Sequence, residues 1–250
     1  MLNLTILWED HDMMVINKPP FVVVNRAESI RGETVQDWAD RHCEECTHEA
    51  AIHTNTGSPH PFGVRDDEEV FRKRSGVAHR LDKETSGCLL IAKNPAALKS
   101  LLQQFHDRLT KKEYLALVHG HLTPESGTIR LPLARSRFDR EKWEIRYSGK
   151  MAETTWEVKK YFVGTTLVRL FPRTGRTHQI RVHLAHMGFP IFSDEKYLTR
   201  GLVAGDRLKL PFHFLHAQKI GFRDMAGEWQ SIEAPLPEDA AKLLLLMESE

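Results

Sequence analysis

The sequence predicts an α+β fold with a mixed, mainly antiparallel sheet. Runs of β-branched and apolar residues outnumber helical patterns, and the two do not alternate regularly, as a parallel strand-and-helix repeat would require. The chain of 250 residues holds no apolar stretch of about 18 residues, which excludes a membrane-spanning helix. In chain order, strands are expected at Thr5–Trp8 and Met14–Ile16. The apolar stretch Cys88–Ala92, bounded by Gly87 and Asn94, reads as a buried strand centred on Leu89–Ala92. Asn94-Pro95 is a helix start, a capping side chain followed by proline at the first helical position. That helix should run to about Arg108 and bury Leu98, Leu101, Leu102 and Phe105 at helical spacing. Further strands are expected at Tyr114–His119, Thr154–Tyr161, Thr166–Phe171 and His213–Phe222. A helix from about Thr177 should stop at Met187 before Gly188, and Pro237–Met247 reads as a terminal helix. The stretch Arg41–Ser75, rich in His, acidic residues and turn formers, reads as a mobile excursion from one domain spanning residues 1–250.

Net charge is +1, which argues against a chain that is basic throughout. Distribution is more informative. Val158–Ser193 holds six Lys or Arg and no Asp or Glu, and Arg130–Lys150 is also enriched in basic residues. Acidic residues gather at Asp66–Glu69 and at the C-terminal end. A basic binding face on a neutral protein gives that separation, and so does an ordinary solvated surface. Three cysteines without evident pairing suit a reducing compartment, and the acidic opening MLNLTILWEDHD is not a secretory signal. A cytoplasmic protein is expected.

The chemistry concentrates in His79–Gly87, HRLDKETSG, where Asp82 lies between basic residues in the loop leading into a buried strand. Alone, an aspartate in a polar loop usually just turns the chain. Four other segments accompany it in order: Val15-Ile16-Asn17-Lys18-Pro19-Pro20, Lys111-Lys112-Glu113-Tyr114, Thr174–His183 (TGRTHQIRVH) and Leu215-His216-Ala217. Together the five resemble the RluA-type (RluA/TruC-like) pseudouridine synthases, which isomerise uridine to pseudouridine in ribosomal or transfer RNA with one essential aspartate. The resemblance implies a mixed sheet split by a central catalytic cleft and flanked by helices. The small RNA-binding domain that precedes the catalytic part in some relatives is expected to be absent.

That resemblance assigns Asp82 as nucleophile, Tyr114 as the active-site tyrosine that stacks on uracil, and Arg181 as the partner of Asp82. Physically, a carboxylate suits attack at, or stabilisation of, an oxocarbenium-like sugar carbon. A neighbouring guanidinium keeps it charged and oriented. Arg176 and His178 lie at an expected helix start and are assigned to RNA binding with Arg80 and Lys18. Ile180 is expected to pack near the base, while Thr177 and Arg181 share one helical face. His79 is expected to be structural. The isomerisation is redox-neutral and consumes no water, and no Gly-rich dinucleotide fingerprint is present, so neither cofactor nor metal is expected. The partner is RNA, the target uridine lies in a loop or is flipped out, and the protein is expected to be a monomer without an obligate protein partner.

Two positions depart from the family pattern. Phe21 stands where a glycine is usual after Lys-Pro-Pro, and Ser193-Asp194-Glu195-Lys196-Tyr197, closed by Leu198, stands where Gly-Asp-x-x-Tyr-Gly is usual, which leaves those loop shapes open, although neither is expected to touch the catalytic residues. Cys43-x-x-Cys46 with His42, His48, His53 and His60 raises a zinc reading, but the spacing fits no strong ligand pattern. The alternative function is a catalytically inactive RNA-binding protein on the same fold; a nucleoside glycosidase would need a second carboxylate, with Glu84 the local candidate.

Overall fold

The computed structural model describes the backbone of residues 1–50 and 64–249 and the side chains of residues 1–42 and 67–249. Cys43, Cys46, His48, His53 and His60 therefore lie outside the described side chains, and with them the zinc reading. The elements in chain order are β1 (Thr5–Glu9), β2 (Met13–Lys18), α1 (Val35–Ala50), α2 (Val64–Arg74), β3 (Ser86–Ala92) and α3 (Pro95–His106). They continue with β4 (Lys111–His119), β5 (Ser126–Arg135), β6 (Trp143–Ile145), β7 (Lys150–Phe162), β8 (Thr165–Pro172) and α4 (Gln179–His186). The last are α5 (Arg200–Lys209), β9 (Leu215–Arg223), β10 (Trp229–Glu233) and α6 (Glu238–Glu248).

All ten strands join one sheet in the order β1-β2-β3-β9-β4-β8-β7-β5-β6, with β10 on β9. Its pairings are antiparallel apart from β3 with β9, which run parallel through Ser86–His216 and Gly87–Ala217. The α+β expectation holds. β9, late in the chain, lies between β3 and β4, so the loop before β3 and the strand carrying Tyr114 come together around it.

β3 is buried along its whole length, which is why its sequence is continuously apolar rather than alternating. Leu89 and Ile91 pack with Met14, Ile16 and Trp38 of β2 and α1. Cys88, Leu90 and Ala92 pack with Leu98 and Leu101 of α3 and with Phe222. Asn94 caps α3 as expected, its side chain accepting from Ala97 N–H at 2.9 Å. At Gly87 φ is 109°, and a Cβ there would sit 2.3 Å from the carbonyl oxygen of Ala217. Only glycine permits that approach, so the last residue of HRLDKETSG is the seam between β3 and β9.

The described end of the Arg41–Ser75 excursion is helical: α2 docks on α3 through Phe71 and an Asp67–Lys99 ion pair of 2.7 Å. One expectation needs correction. Helix α4 begins at Gln179, not Thr177, because Gln179 reaches back along the chain. Its side chain accepts from Thr174 Oγ1 and Arg176 N–H and donates to Glu153 O and Thr154 Oγ1. Thr177 therefore precedes the helix and does not share its face with Arg181, whereas Ile180 and Leu184 do pack on the sheet.

Candidate active site

Asp82 sits in a short loop fixed from several directions. Leu81 is buried in the core, and Thr85 N–H closes a turn onto Asp82 O at 3.1 Å. Thr85 Oγ1 then meets His213 Nε2 at 2.8 Å. Lys18 is fully buried, and its ammonium donates to Pro19 O, Val22 O and Lys83 O. It ties the Asn-Lys-Pro-Pro segment to the Asp82 loop and is not a contact for RNA, which corrects that expectation. Burial pulls its pKa down to about 7, while the charge of Asp82 favours the ammonium.

Arg181, from the third position of α4, points all its reach at carboxylates. Its Nε and Nη2 donate to Asp194 at 2.7 and 2.8 Å, and Nη1 donates to Asp82 Oδ2 at 2.9 Å. Asp194 also accepts from the backbone N–H of Lys196 and Tyr197. The Tyr197 ring lies 5.1 Å from the guanidinium, a cation–π contact. Burial opposes ionisation of Asp82, but the charge of Arg181 and its hydrogen bond outweigh it and hold the carboxyl below its ordinary range. Asp194 is held low in the same way, and Arg181 is pushed up by its two carboxylates despite burial.

His178 is the one non-glycine residue at the mouth of α4 in the left-handed region, with φ of 55°. That turn carries its ring inward: Nε2 is 3.8 Å from Asp82 Oδ2, and Nδ1 is 2.8 Å from Tyr197 Oη. Tyr197 Oη also accepts from Trp143 N–H, so the contact with Nδ1 is anchored on β6 and Nε2 is left turned toward Asp82. Burial lowers the pKa of His178 to about 4 and that of His213 to about 3. Both rings are neutral at pH 7, so Arg181 is the cation that keeps Asp82 ionised. His178 belongs to the carboxylate's surroundings, not to a phosphate site at the helix start.

Asp82, His178 and Arg181 line a cleft of about 1040 Å³. Tyr114 and Lys112 enter it from β4, and Ile180, only 6% exposed, lines it from α4. Burial and the nearby Asp82 push the Tyr114 hydroxyl up, so the phenol stays protonated. Burial brings Lys112 down to about 8. Arg80 and Arg176 are exposed and line the cleft, where the sequence expects RNA contacts. Among the described lining residues eight are Lys or Arg, and Asp82 is the one acid. Glu84 does not join it: both its oxygens are held by Arg207, and one also accepts from His213 N–H. His79 accepts from Leu90 N–H and packs on Phe105, a structural role as expected.

Sequence reading missed Asp194, Tyr197 and His213. The signal for the first two is in the sequence, because Ser193–Tyr197 departs from the usual glycine turn. Ser193 nevertheless keeps φ at 64°, with Oγ donating to Leu210 O and its N–H to Asp206. Phe21 likewise keeps a left-handed 70°, its ring edge-on to Phe212. Both turns hold their shape without glycine, and the Ser193 turn, contrary to expectation, delivers the main partner of a catalytic-site residue.

Comparison with known proteins identifies the family. The sequence model of the RNA pseudouridylate synthase family matches residues 12–186. A Bacillus subtilis protein named uncharacterized RNA pseudouridine synthase YlyB is 36% identical over 246 residues, covering 97% of this chain and 72% of that protein. Ribosomal large subunit pseudouridine synthase C of Pasteurella multocida is 33% identical over 247 residues, covering 97% of this chain and 68% of its own. The solved structure of human RNA pseudouridylate synthase domain containing 4 superposes with a TM-score of 0.71 at 23% identity, over 98% of this chain and 93% of that one. It is a likeness of fold.

Proposed function

This chain belongs to the RluA-type family of RNA pseudouridine synthases, and we propose that it isomerises uridine in large-subunit ribosomal RNA, in the cytoplasm and as a monomer, with Asp82 as the nucleophile. One observation carries the mechanistic part: a single carboxylate, held ionised by Arg181, stands in a cleft whose other charged lining residues are cations. The substrate class follows from relatives named for the ribosomal large subunit.

The target uridine leaves its stack and enters the cleft, where Tyr114 offers an aromatic surface for the extruded base. Asp82 places a fixed negative oxygen against the positive charge that develops as the N-glycosidic bond breaks. The uracil rotates, its carbon 5 bonds to the ribose, and the proton on carbon 5 departs while the ring nitrogen freed from the sugar takes one up, so no atom is gained or lost overall. Arg181 fixes the carboxylate's direction but is itself fixed by Asp194, so the nucleophile's aim is set two residues deep. Arg80 and Arg176 bind the RNA backbone at the cleft mouth, and Ile180 packs beside the base.

The test is tritium release from carbon-5-labelled uridine in large-subunit ribosomal RNA and transfer RNA transcripts, offered separately. Release from the ribosomal transcript is expected, with Asp82→Asn reducing it to background while RNA affinity stays within a few-fold. Wild-type turnover by Asp82→Asn would overturn the assignment of Asp82.

A further inference from the structure

Five exposed cationic side chains of the cleft lining have no carboxylate partner among the described residues: Lys73, Arg74, Arg80, Arg108 and Arg176. Arg80 and Arg176 belong to the motifs already discussed. The other three come from the helical end of the Arg41–Ser75 excursion and from the turn after α3. Helix α2 has Arg72, Lys73 and Arg74 in its last turn. Basic residues there ordinarily complement the helix dipole in open solvent, and Arg72 fits that role, paired with Glu68 at 3.2 Å and absent from the cleft lining. Lys73 and Arg74 are different. Both are exposed, both line the cleft, and neither is neutralised by a carboxylate among the described residues.

Their placement is also fixed. Gln36 Nε2 donates to Lys73 O at 3.1 Å, and Arg26 Nη1 donates to Ser75 Oγ at 3.1 Å. Ser75 and Gly76 then turn through left-handed conformations, with φ of 50° and 69°. A Cβ on Gly76 would fall 2.0 Å from Ala92 O, so the turn is pressed onto the end of β3. Arg108, also left-handed at φ 60°, reverses the chain after α3 and joins them on the lining. Helices α2 and α3 stand on the β2–β3 part of the sheet, whereas the loop carrying Arg173 and Arg176 leads into α4, which packs against β4 and β8. Cations therefore reach the cleft from two separate supports.

We propose that Lys73, Arg74 and Arg108 form a second phosphate-binding rim, which grips the RNA strand flanking the target uridine and widens recognition beyond the nucleotide in the cleft. Exposed cations held at fixed spacing and without internal partners suit a polyanionic strand: contact displaces condensed counterions without breaking any ion pair in the protein. This inference rests on the synthase reading above. It makes the end of α2 a determinant of how tightly and in what register the RNA is held, and it assigns no part in bond breaking to the rim.

The test compares wild type with the double variant Lys73→Ala/Arg74→Ala, and with Arg72→Ala as control. Binding to a large-subunit ribosomal RNA transcript is measured across a salt series, and turnover by tritium release on the same RNA. The double variant should bind roughly tenfold more weakly, and its plot of log affinity against log salt should flatten by about 1.4, as for two lost single-strand phosphate contacts. Its turnover defect should appear in KM, not kcat. Arg72→Ala should match wild type. An unchanged salt slope in the double variant, or an equal loss in Arg72→Ala, overturns the rim. If the synthase reading itself were at fault, wild type would release no tritium while the binding arm still read the rim, so the two failures are separable.

Discussion

Asp82 and Asp194 divide one guanidinium between them. Arg181 gives two nitrogens to the fully buried Asp194 and the third to Asp82, which keeps its second oxygen free of Arg181. The division separates two positions: one carboxylate anchors the cation, and the other is the one proposed above to react.

Asp194→Ala should therefore act at a distance from the substrate. Removing one partner of a buried ion pair costs about 3–5 kcal/mol, read as a lowered midpoint in urea denaturation. Turnover should fall well beyond that seen with a surface variant, because Arg181 loses its orientation. Normal stability together with normal turnover would show that Asp82 alone suffices to hold Arg181.

Tyr114 separates two roles by substitution. Tyr114→Phe keeps the ring and should leave RNA affinity unchanged, whereas Tyr114→Ala should lose about 1–3 kcal/mol of binding, the worth of one stacked base. Competition binding measures both. A Phe variant that binds normally but turns over slowly assigns the hydroxyl to proton movement at carbon 5.

Acid should weaken the fold through its buried histidines. His79 and His213 are lowered to about 3, and His178 and His183 to about 4, in each case by burial first. The unfolded chain binds protons on these rings below about pH 6.5, while the folded chain refuses them. Their contribution is complete above that pH and is lost as pH falls toward 4 and then 3. The depressed Asp82 and Asp194 act in the same direction at lower pH. Thermal melts at pH 7 and pH 5 should show a lower Tm at pH 5, by more than His213→Asn shows over the same interval.

Gly87→Ala should damage the fold itself. A methyl group would meet Ala217 O at 2.3 Å, in a backbone conformation that alanine avoids. Both partners are backbone, so neither can swing aside. Loss of soluble protein, or a large drop in Tm, is the expected result, and a wild-type melt would show that β3 and β9 can separate.

Legibility in the sequence followed how local each cause is. β2, β3 and β4 show as apolar runs because burial of their own side chains makes them, and α3 shows through Asn94-Pro95. β5 was missed because Gly127 and Pro132 interrupt its pattern, and β10 because Trp229–Glu233 is short and mostly exposed. Lys18 illustrates the limit within the site. A lysine in a motif of a nucleic-acid enzyme suggests phosphate, but three carbonyls from two segments claim it, and only the folded chain brings them together. Asp194 was hidden likewise: its local sequence shows a turn, and its importance comes from Arg181. Asp82 and Arg181 themselves were readable because their motifs are dense in the residues the chemistry uses.

The central position of β9 has a consequence for biosynthesis. Until residues 215–223 have left the ribosome, β3 lacks the neighbour that joins it to β4, and the sheet remains in two unjoined parts. Asp82 belongs to one part, Tyr114 and Arg181 to the other. A growing chain thus carries the candidate site residues before it can align them, and activity should switch on once β9 has emerged instead of accruing gradually.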